Sequence, residues 1–248
     1  MVADRDVVAD EVQEFWASST SSRVLQSVPL QISPGRIGTL KALFFPVDHS
    51  IPGSGAWAVE TSEGWVVYTG DLRMHGSQKQ DTLRFIEATT CLKPLALICE
   101  GTHSENEWFM SEAAVYENAR LAVELHKGLV IADFPLSNIE RLSIFHQVAI
   151  DTGRILVVTF RDAYLLEALS KVVKAVPNPL DSTHIKVYGP NKVTLASWER
   201  VLAERHGGKV IGATEVRESQ GSFILCFGYY DLPNLVDIDP GAGHYIHS

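Results

Sequence analysis

Two short stretches carry the residue types best able to do chemistry. The first is Val47-Asp48-His49-Ser50-Ile51-Pro52-Gly53-Ser54-Gly55-Ala56, and the second is Tyr68-Thr69-Gly70-Asp71-Leu72-Arg73. In each, an imidazole or a carboxylate follows an apolar segment and stands beside glycines, which is how a chain presents hard-to-bury groups at the rim of a β-sheet. A third group, Glu100, closes the apolar run Leu95–Cys99 and is followed by Gly101-Thr102-His103. A neutral ring nitrogen suits a transition metal. Aspartate can bridge two metal ions, and a second carboxylate can orient a ligating histidine from behind. If the strands that carry them are neighbours, His49, Asp71 and Glu100 converge on one sheet edge. Two ligands do not make a zinc site, so His49 and Asp71 need companions. The competing reading is that both cap turns whose bends the glycines permit.

The elements that must position these groups are short. Strands are expected at Leu43–Val47, Ala56–Glu60, Trp65–Tyr68 and Leu95–Cys99, with Thr61-Ser62-Glu63-Gly64 closing an antiparallel hairpin between the second and third. A helix is expected over Gln78–Ala88, and another over 3–17, where Val7, Val8, Val12, Phe15 and Trp16 stand near helical spacing. Beyond residue 110 the period switches. The pattern predicts helix 111–126, strand Leu129–Phe134, helix 138–152, strand Ile155–Phe160, helix 162–174, strand Ile185–Tyr188, helix 192–206, and strands Lys209–Ile211 and Phe223–Phe227. Strands alternating with helices at this spacing predict βαβ units and a parallel sheet. Ser137 with Glu140 forms a capping box for helix 138–152, and Gly153 stands where a glycine ends one. The change of texture near residues 104–110 divides the chain into domains 1–110 and 111–248.

Composition bounds the function. At 248 residues, with 46% hydrophobic and 21% charged residues, the chain has an ordinary globular make-up. No apolar run approaches the length that crosses a bilayer, and the charged start Met1-Val2-Ala3-Asp4-Arg5-Asp6 carries no signal-peptide core. Cys91, Cys99 and Cys226 form no C-x-x-C pair and are expected as buried reduced thiols of a cytoplasmic protein. The net charge of −9 is the opposite of a nucleic-acid binder's usual sign, so any nucleic-acid contact must be local, through a metal or a small basic pocket.

Asp48-His49-Ser50-Ile51-Pro52-Gly53 and Tyr68-Thr69-Gly70-Asp71-Leu72-Arg73 resemble the third and fourth metal-binding motifs of the metallo-β-lactamase superfamily. Cys99-Glu100-Gly101-Thr102-His103 resembles the acidic motif A of its β-CASP branch, which includes ribonuclease J, and the βαβ stretch from about residue 111 matches the β-CASP insertion. The resemblance implies an α/β protein: part of a metallo-β-lactamase αββα sandwich followed by a β-CASP domain with a mostly parallel sheet. It implies that His49 binds one zinc, that Asp71 bridges two, and that Glu100 holds a histidine from a later motif. A bridged zinc pair makes hydroxide at neutral pH for attack on a phosphodiester. Leu136-Ser137-Asn138-Ile139-Glu140-Arg141 resembles the segment with which ribonuclease J-like enzymes hold a 5′-monophosphate, so Ser137, Asn138 and Arg141 are candidate phosphate contacts. A helix N-terminus favours an anion, although Ser137 can equally cap its own helix. Arg161-Asp162 is either a further phosphate contact or a solvated helix start.

The chain departs from the family pattern at both ends. The signature His-x-His-x-Asp-His is missing, residues 1–37 hold no histidine, and Gly243-His244-Tyr245-Ile246-His247-Ser248 resembles sequence leading toward a later histidine motif without reaching it. That tail is expected to fray. The expected function is therefore a portion of a metal-dependent RNA or DNA nuclease with zinc weakly held or absent, inactive when isolated. Its partners would be nucleic acid, RNA before DNA, and a completing chain or a second copy, with no membrane. A degenerate, non-catalytic relative that binds nucleic acid or protein is the alternative. A Rossmann-type nucleotide enzyme finds little support: no G-x-G-x-x-G follows a strand, and Gly189-Pro190-Asn191-Lys192-Val193-Thr194 lacks a phosphate-loop ending.

Overall fold

The computed structural model describes residues 35–101, 110–135, 137–171, 173–192 and 194–248. The helix expected over 3–17 and His103 lie outside the described residues. The rest divides between Val115 and Tyr116 into two compact units, and the fold class is α/β, with one mixed and one parallel sheet.

The mixed sheet runs in sequence order: β1 (Arg36–Ile37), β2 (Leu40–Pro46), β3 (Gly55–Glu60), β4 (Trp65–Tyr68) and β5 (Ala96–Ile98). The first four strands are antiparallel neighbours. β5 pairs parallel with β4 after helix α1 (Lys79–Leu92). The β3–β4 hairpin closes as expected, with the Thr61 N–H and hydroxyl both donating to the Gly64 carbonyl, at 3.0 and 2.7 Å. One face of the sheet places Ala56, Ala58 and Val67 against Phe85 of α1. On the other face Phe44, Trp57, Tyr68 and Ile98 stand side by side across four strands. Phe44, Tyr68 and Ile98 there are about half exposed, at 49%, 51% and 53%. β5 is an exposed edge strand, and the expectation of three buried thiols fails with it. Cys99, beyond β5, and Cys91, on α1, are exposed, and only Cys226 is buried.

The second sheet has six strands, all parallel: β6 (Leu129–Asp133), β7 (Ile155–Thr159), β8 (Ile185–Tyr188), β9 (Val210–Ile211), β10 (Phe223–Cys226) and β11 (Gly243–His247). Their spatial order is β11-β6-β10-β7-β8-β9. Helix α2 (Glu112–Leu125) precedes β6. Helices α3 (Ile139–Asp151), α4 (Phe160–Ser170) and α5 (Ser197–His206) link β6 to β9 in steps, and their Leu142, Phe145, Leu166 and Leu202 pack with Val130, Leu156 and Ile224. The chain then reverses through α6 (Ala213–Glu218) to β10 and through α7 (Leu235–Ile238) to β11, packing Val216 and Ile238 against Leu129, Val157 and Leu225. The two sets of helices bring two separate clusters, so strands such as Phe223–Cys226 are buried throughout and read as unbroken apolar runs.

Three local features tie this unit together. Helix α3 ends in the expected glycine cap: Gly153 adopts φ +67°, its N–H donates to Ile150, and the Arg154 N–H donates to Ala149 at 2.8 Å. The buried Arg154 guanidinium then donates to the carbonyls of Gly128, Val123, Phe223 and His126, holding the amino ends of three strands without a carboxylate. The third feature corrects the frayed tail. Residues Gly243–His247 form strand β11, paired with β6 at five positions from Gly243↔Leu129 to His247↔Asp133.

Candidate metal-ligand and phosphate-contact residues

The mixed sheet brings His49, Asp71 and Glu100 to one edge. β2 and β4 point the same way because each is antiparallel to β3, and β5 is parallel to β4. His49, Asp71 and Glu100 follow the carboxyl ends of β2, β4 and β5 by two or three residues. His49 Nε2 lies 3.9 Å from Asp71 Oδ2. Glu100 Oε1 accepts the Leu72 N–H at 2.8 Å, so the donor that a carboxylate at the end of an apolar strand requires comes from the Asp71 loop itself. The Asp71 side chain is largely exposed and that of His49 mostly covered.

The residue just before His49 sets this geometry. Asp48 is fully buried. Its Oδ2 accepts the Gly76 N–H at 2.7 Å and its Oδ1 accepts Arg73 Nε at 3.3 Å. Its own N–H donates to Thr82 Oγ1 at 2.8 Å, and its carbonyl accepts the Arg73 N–H at 2.9 Å. Arg73 also reaches Glu112 at 3.7 Å. A buried carboxylate is tolerable only with such company. The Asp48–Arg73 pair locks the loop after β2 to the loop after β4, and with them His49 to Asp71. The glycines have specific duties here. Gly70 turns at φ +59°, where a Cβ would stand 3.0 Å from the Gly55 carbonyl oxygen. At Gly76 a Cβ would fall 2.3 Å from Arg73 Nη2 and 2.4 Å from Asp48 Oδ1. Sequence reasoning quoted Asp48 and Arg73 within the motifs but gave neither a role; the signal was charge of opposite sign beside both candidate ligands.

For zinc these residues are a partial set. Two ligands on one tetrahedral ion, each about 2.1 Å from it, stand about 3.4 Å apart, half an ångström closer than His49 and Asp71 do here. No group of three or more histidine, cysteine, aspartate or glutamate side chains is placed to hold a metal among the described residues. The donors present do not by themselves fit a zinc centre.

The candidate phosphate contacts belong to the other unit. Asn138, not Ser137, caps α3, its Oδ1 accepting the Arg141 N–H at 3.0 Å. The Ser137–Glu140 capping box is thereby corrected by one residue. Both residue types can cap, and Ile139 must be the first helical residue for it to reach the core, where it is 4% exposed. Ser137 is exposed in the turn before the cap, and Arg141 is half-buried on the first turn. Asp162 is no solvated helix start. It is buried, and its Oδ2 accepts the Thr159 N–H and hydroxyl at 2.8 and 2.9 Å in a reciprocal cap of α4. Burial pushes its carboxyl up to about 6, against the pull of the Thr159 hydrogen bonds.

No protein-family model matches the chain. The chain is 28% identical over 181 residues to ribonuclease J 1 of Streptococcus pyogenes, a stretch covering 71% of this chain and 30% of that protein. It is 31% identical over 125 residues to ribonuclease J 2 of the same organism, covering 48% and 22%. To ribonuclease J of Mycoplasma pneumoniae it is 29% identical over 115 residues, covering 45% and 20%. The matched stretches thus amount to 20–30% of the length of these relatives. A crystal structure of a protein of unknown function from Enterococcus faecalis has a similar fold, with a TM-score of 0.64 at 14% identity, covering all of this chain and 62% of that one. The ribonuclease J matches support a metallo-β-lactamase and β-CASP relationship.

Proposed function

We propose that this chain is a portion of a metal-dependent phosphodiesterase that acts on nucleic acid, RNA ahead of DNA, and that it is inactive by itself. The observation that carries the reading is the meeting of His49, Asp71 and Glu100 at one sheet edge, held there by the buried Asp48–Arg73 pair. Likeness to proteins called ribonuclease J supports RNA as the polymer. His49 and Asp71 supply two of the donors that a zinc centre needs; further ligands from elsewhere would have to complete it, so no hydrolytic step is assigned to the described residues. Ser137, Asn138 and Arg141, at the start of α3, are the proposed contacts for a terminal phosphate, where a helix N-terminus favours negative charge.

Elemental analysis together with an RNA assay tests this. The purified chain is expected to retain well under one zinc per molecule after dialysis and to leave a 5′-monophosphorylated RNA oligomer uncut. Two tightly held zinc ions per chain, or turnover of the oligomer, overturns the partial-site reading. The alternative, a degenerate relative that binds without cutting, rests on the missing His-x-His-x-Asp-His. The flanking genomic DNA separates the two. In-frame codons for that motif upstream favour the enzyme, and a true start and stop without them favours the binder.

A further inference from the structure

The parallel sheet carries a cavity of about 660 Å³ at the carboxyl ends of β6, β7, β8 and β10. This is the place where the order of the strands reverses. The chain leaves β7 in the direction of β8, and leaves β10 in the opposite direction toward β11. Ligands in open α/β sheets bind in the crevice that such a reversal opens, and the volume is that of a small-molecule site.

Four carboxylates line it: Glu199, whose oxygens accept from Lys192 and the Ala196 N–H, and three aspartates at the ends of adjacent strands, Asp133 on the last residue of β6, Asp231 beyond β10 and Asp162 beyond β7. Each of the three aspartates has one oxygen committed. Asp133 Oδ2 accepts the Tyr245 hydroxyl and meets His247 Nδ1 at 3.3 Å. Asp231 Oδ2 accepts the Gly228 N–H at 3.1 Å, and Asp162 Oδ2 is held by Thr159. The Oδ1 atoms have no hydrogen bond among the described residues. Gly228 lies beside two of the aspartates: a Cβ there would make ordinary contacts, 3.8 Å from both Asp133 Oδ1 and Asp231 Oδ2. Tyr188 also lines the cavity. It is 2% exposed, and its buried hydroxyl has no partner among the described residues. A buried polar group left this way calls for a ligand or water. Aromatic rings complete the lining: Trp198, and the edge-to-face pair Tyr229 and Tyr230, which are 75% and 90% exposed.

We propose that this cavity binds a flat, uncharged heterocycle with adjacent N–H donors, a guanine-type base. The carboxylates accept, so the occupant must donate; paired N–H groups suit a carboxylate edge. The exposed rings offer stacking faces to a base. A polyamine fits worse, because Arg161 and Lys192, the latter bonded to Glu199 at 2.8 Å, line the same space. A free phosphate would face the three aspartates. A metal has no set of three ligands among the described residues. Burial pushes Asp162 and Asp231 up, with the charge of Asp231 adding to the shift of Asp162 and that of Asp133 to the shift of Asp231, against the pull of Arg161 on both and of Lys192 on Asp231.

The same ring can come as a free nucleoside or as the terminal base of an RNA, and the inference does not depend on the nuclease reading. Titration of the chain with guanosine, followed by tyrosine and tryptophan fluorescence, is expected to saturate, with adenosine at least about tenfold weaker because it lacks the paired donors. Asp231→Asn, which replaces an acceptor by a donor, is expected to weaken guanosine at least about tenfold; should that variant melt early, Tyr230→Ala removes a stacking face at an exposed position instead. Displacement of guanosine by a guanine-ended RNA hexamer, but not by a uracil-ended one, assigns the strand end; guanosine binding without such displacement assigns the free nucleoside. Equal binding of guanosine and adenosine, no saturation, displacement by spermidine, or indifference to both substitutions overturns the proposal. RNA binding without guanosine binding would sink it and leave the nuclease reading standing.

Discussion

Strands Leu129–Asp133 and Trp65–Tyr68 are both apolar runs inside sheets, yet they live in different surroundings. The first has four of five residues buried because helices cover both faces of its sheet. The second has one face on α1, and on the other Tyr68 stands between Trp57 and Ile98 about half exposed. The sheet of parallel strands closes its own layers; the mixed sheet closes one of two. That half-exposed apolar row places the candidate metal ligands on the sheet that, among the described residues, has one open face. What organises that half is polar: a buried aspartate, an arginine and a glycine N–H, rather than a two-sided core.

The contrast breaks first under core truncation. Phe145 is fully buried in the parallel-sheet unit and stacks on Phe134, whereas Phe44, of the same type, is about half exposed on the open face beside Trp57. Phe145→Ala is expected to cost about 3–5 kcal/mol, and Phe44→Ala far less, under about 1 kcal/mol because little burial is lost. Chemical denaturation of both variants checks this. Equal losses would mean that the open face is covered in solution.

Acid sharpens the same contrast, because a deeply buried carboxyl, hydrogen-bonded to Thr159 but in no ion pair among the described residues, lies in the parallel-sheet unit. Asp162 titrates in the folded chain at about 6, above its unfolded value of about 3.9. The folded state therefore holds a proton that the unfolded state releases, so this group's stabilising effect is full below about 4 and is lost as the pH rises through about 6. The span is worth about 3 kcal/mol. Glu167 has the opposite slope: burial pushes it up, but His206 and Arg205 hydrogen bonds pull it lower still. The measurement is thus the difference between wild type and Asp162→Asn, which keeps an acceptor for Thr159. Stability curves at pH 4, 5, 6 and 7 should converge or cross toward high pH as the wild type loses that advantage; parallel curves would show that Asp162 titrates normally.

Much of this was legible in the residues. Period and turn chemistry located the β3–β4 hairpin, the alternation beyond residue 110 and the glycine that ends α3, because each depends on neighbours in sequence. The misreadings all involve choices made at a distance. Residues 243–247 carry two histidines and a tyrosine and look like a loose end, but the open edge of β6 offers them five pairing positions. Ser137 and Asn138 can both cap a helix, and the buried position of Ile139 chooses between them. Leu95–Cys99 is apolar enough for a core strand and yet forms an edge, since nothing in a run of leucines says what lies beyond it. At the candidate site, the motifs named His49 and Asp71, while Asp48 and Arg73 became intelligible only when 25 residues of separation closed to a 3.3 Å contact.

That contact sets the most local of the expected effects. Gly76 has an ordinary negative backbone angle, so alanine there meets no conformational objection; its methyl would instead enter the space held by the Arg73 guanidinium and the Asp48 carboxylate, within 2.3–2.6 Å of three of their atoms. Something must move, and backbone on both sides limits what can. Gly76→Ala is expected to cost about 1–2 kcal/mol, with amide exchange quickening at Arg73, Gly76 and Asp48 while the amides of the parallel strands keep their protection. The His49 imidazole should shift its NMR resonances as well, because its loop is tied to Asp71 through the disturbed pair. A variant that leaves exchange at Arg73 unchanged would show that the two loops are held together by something other than this ion pair, and exchange quickening throughout the parallel sheet would show that the two units do not stand independently.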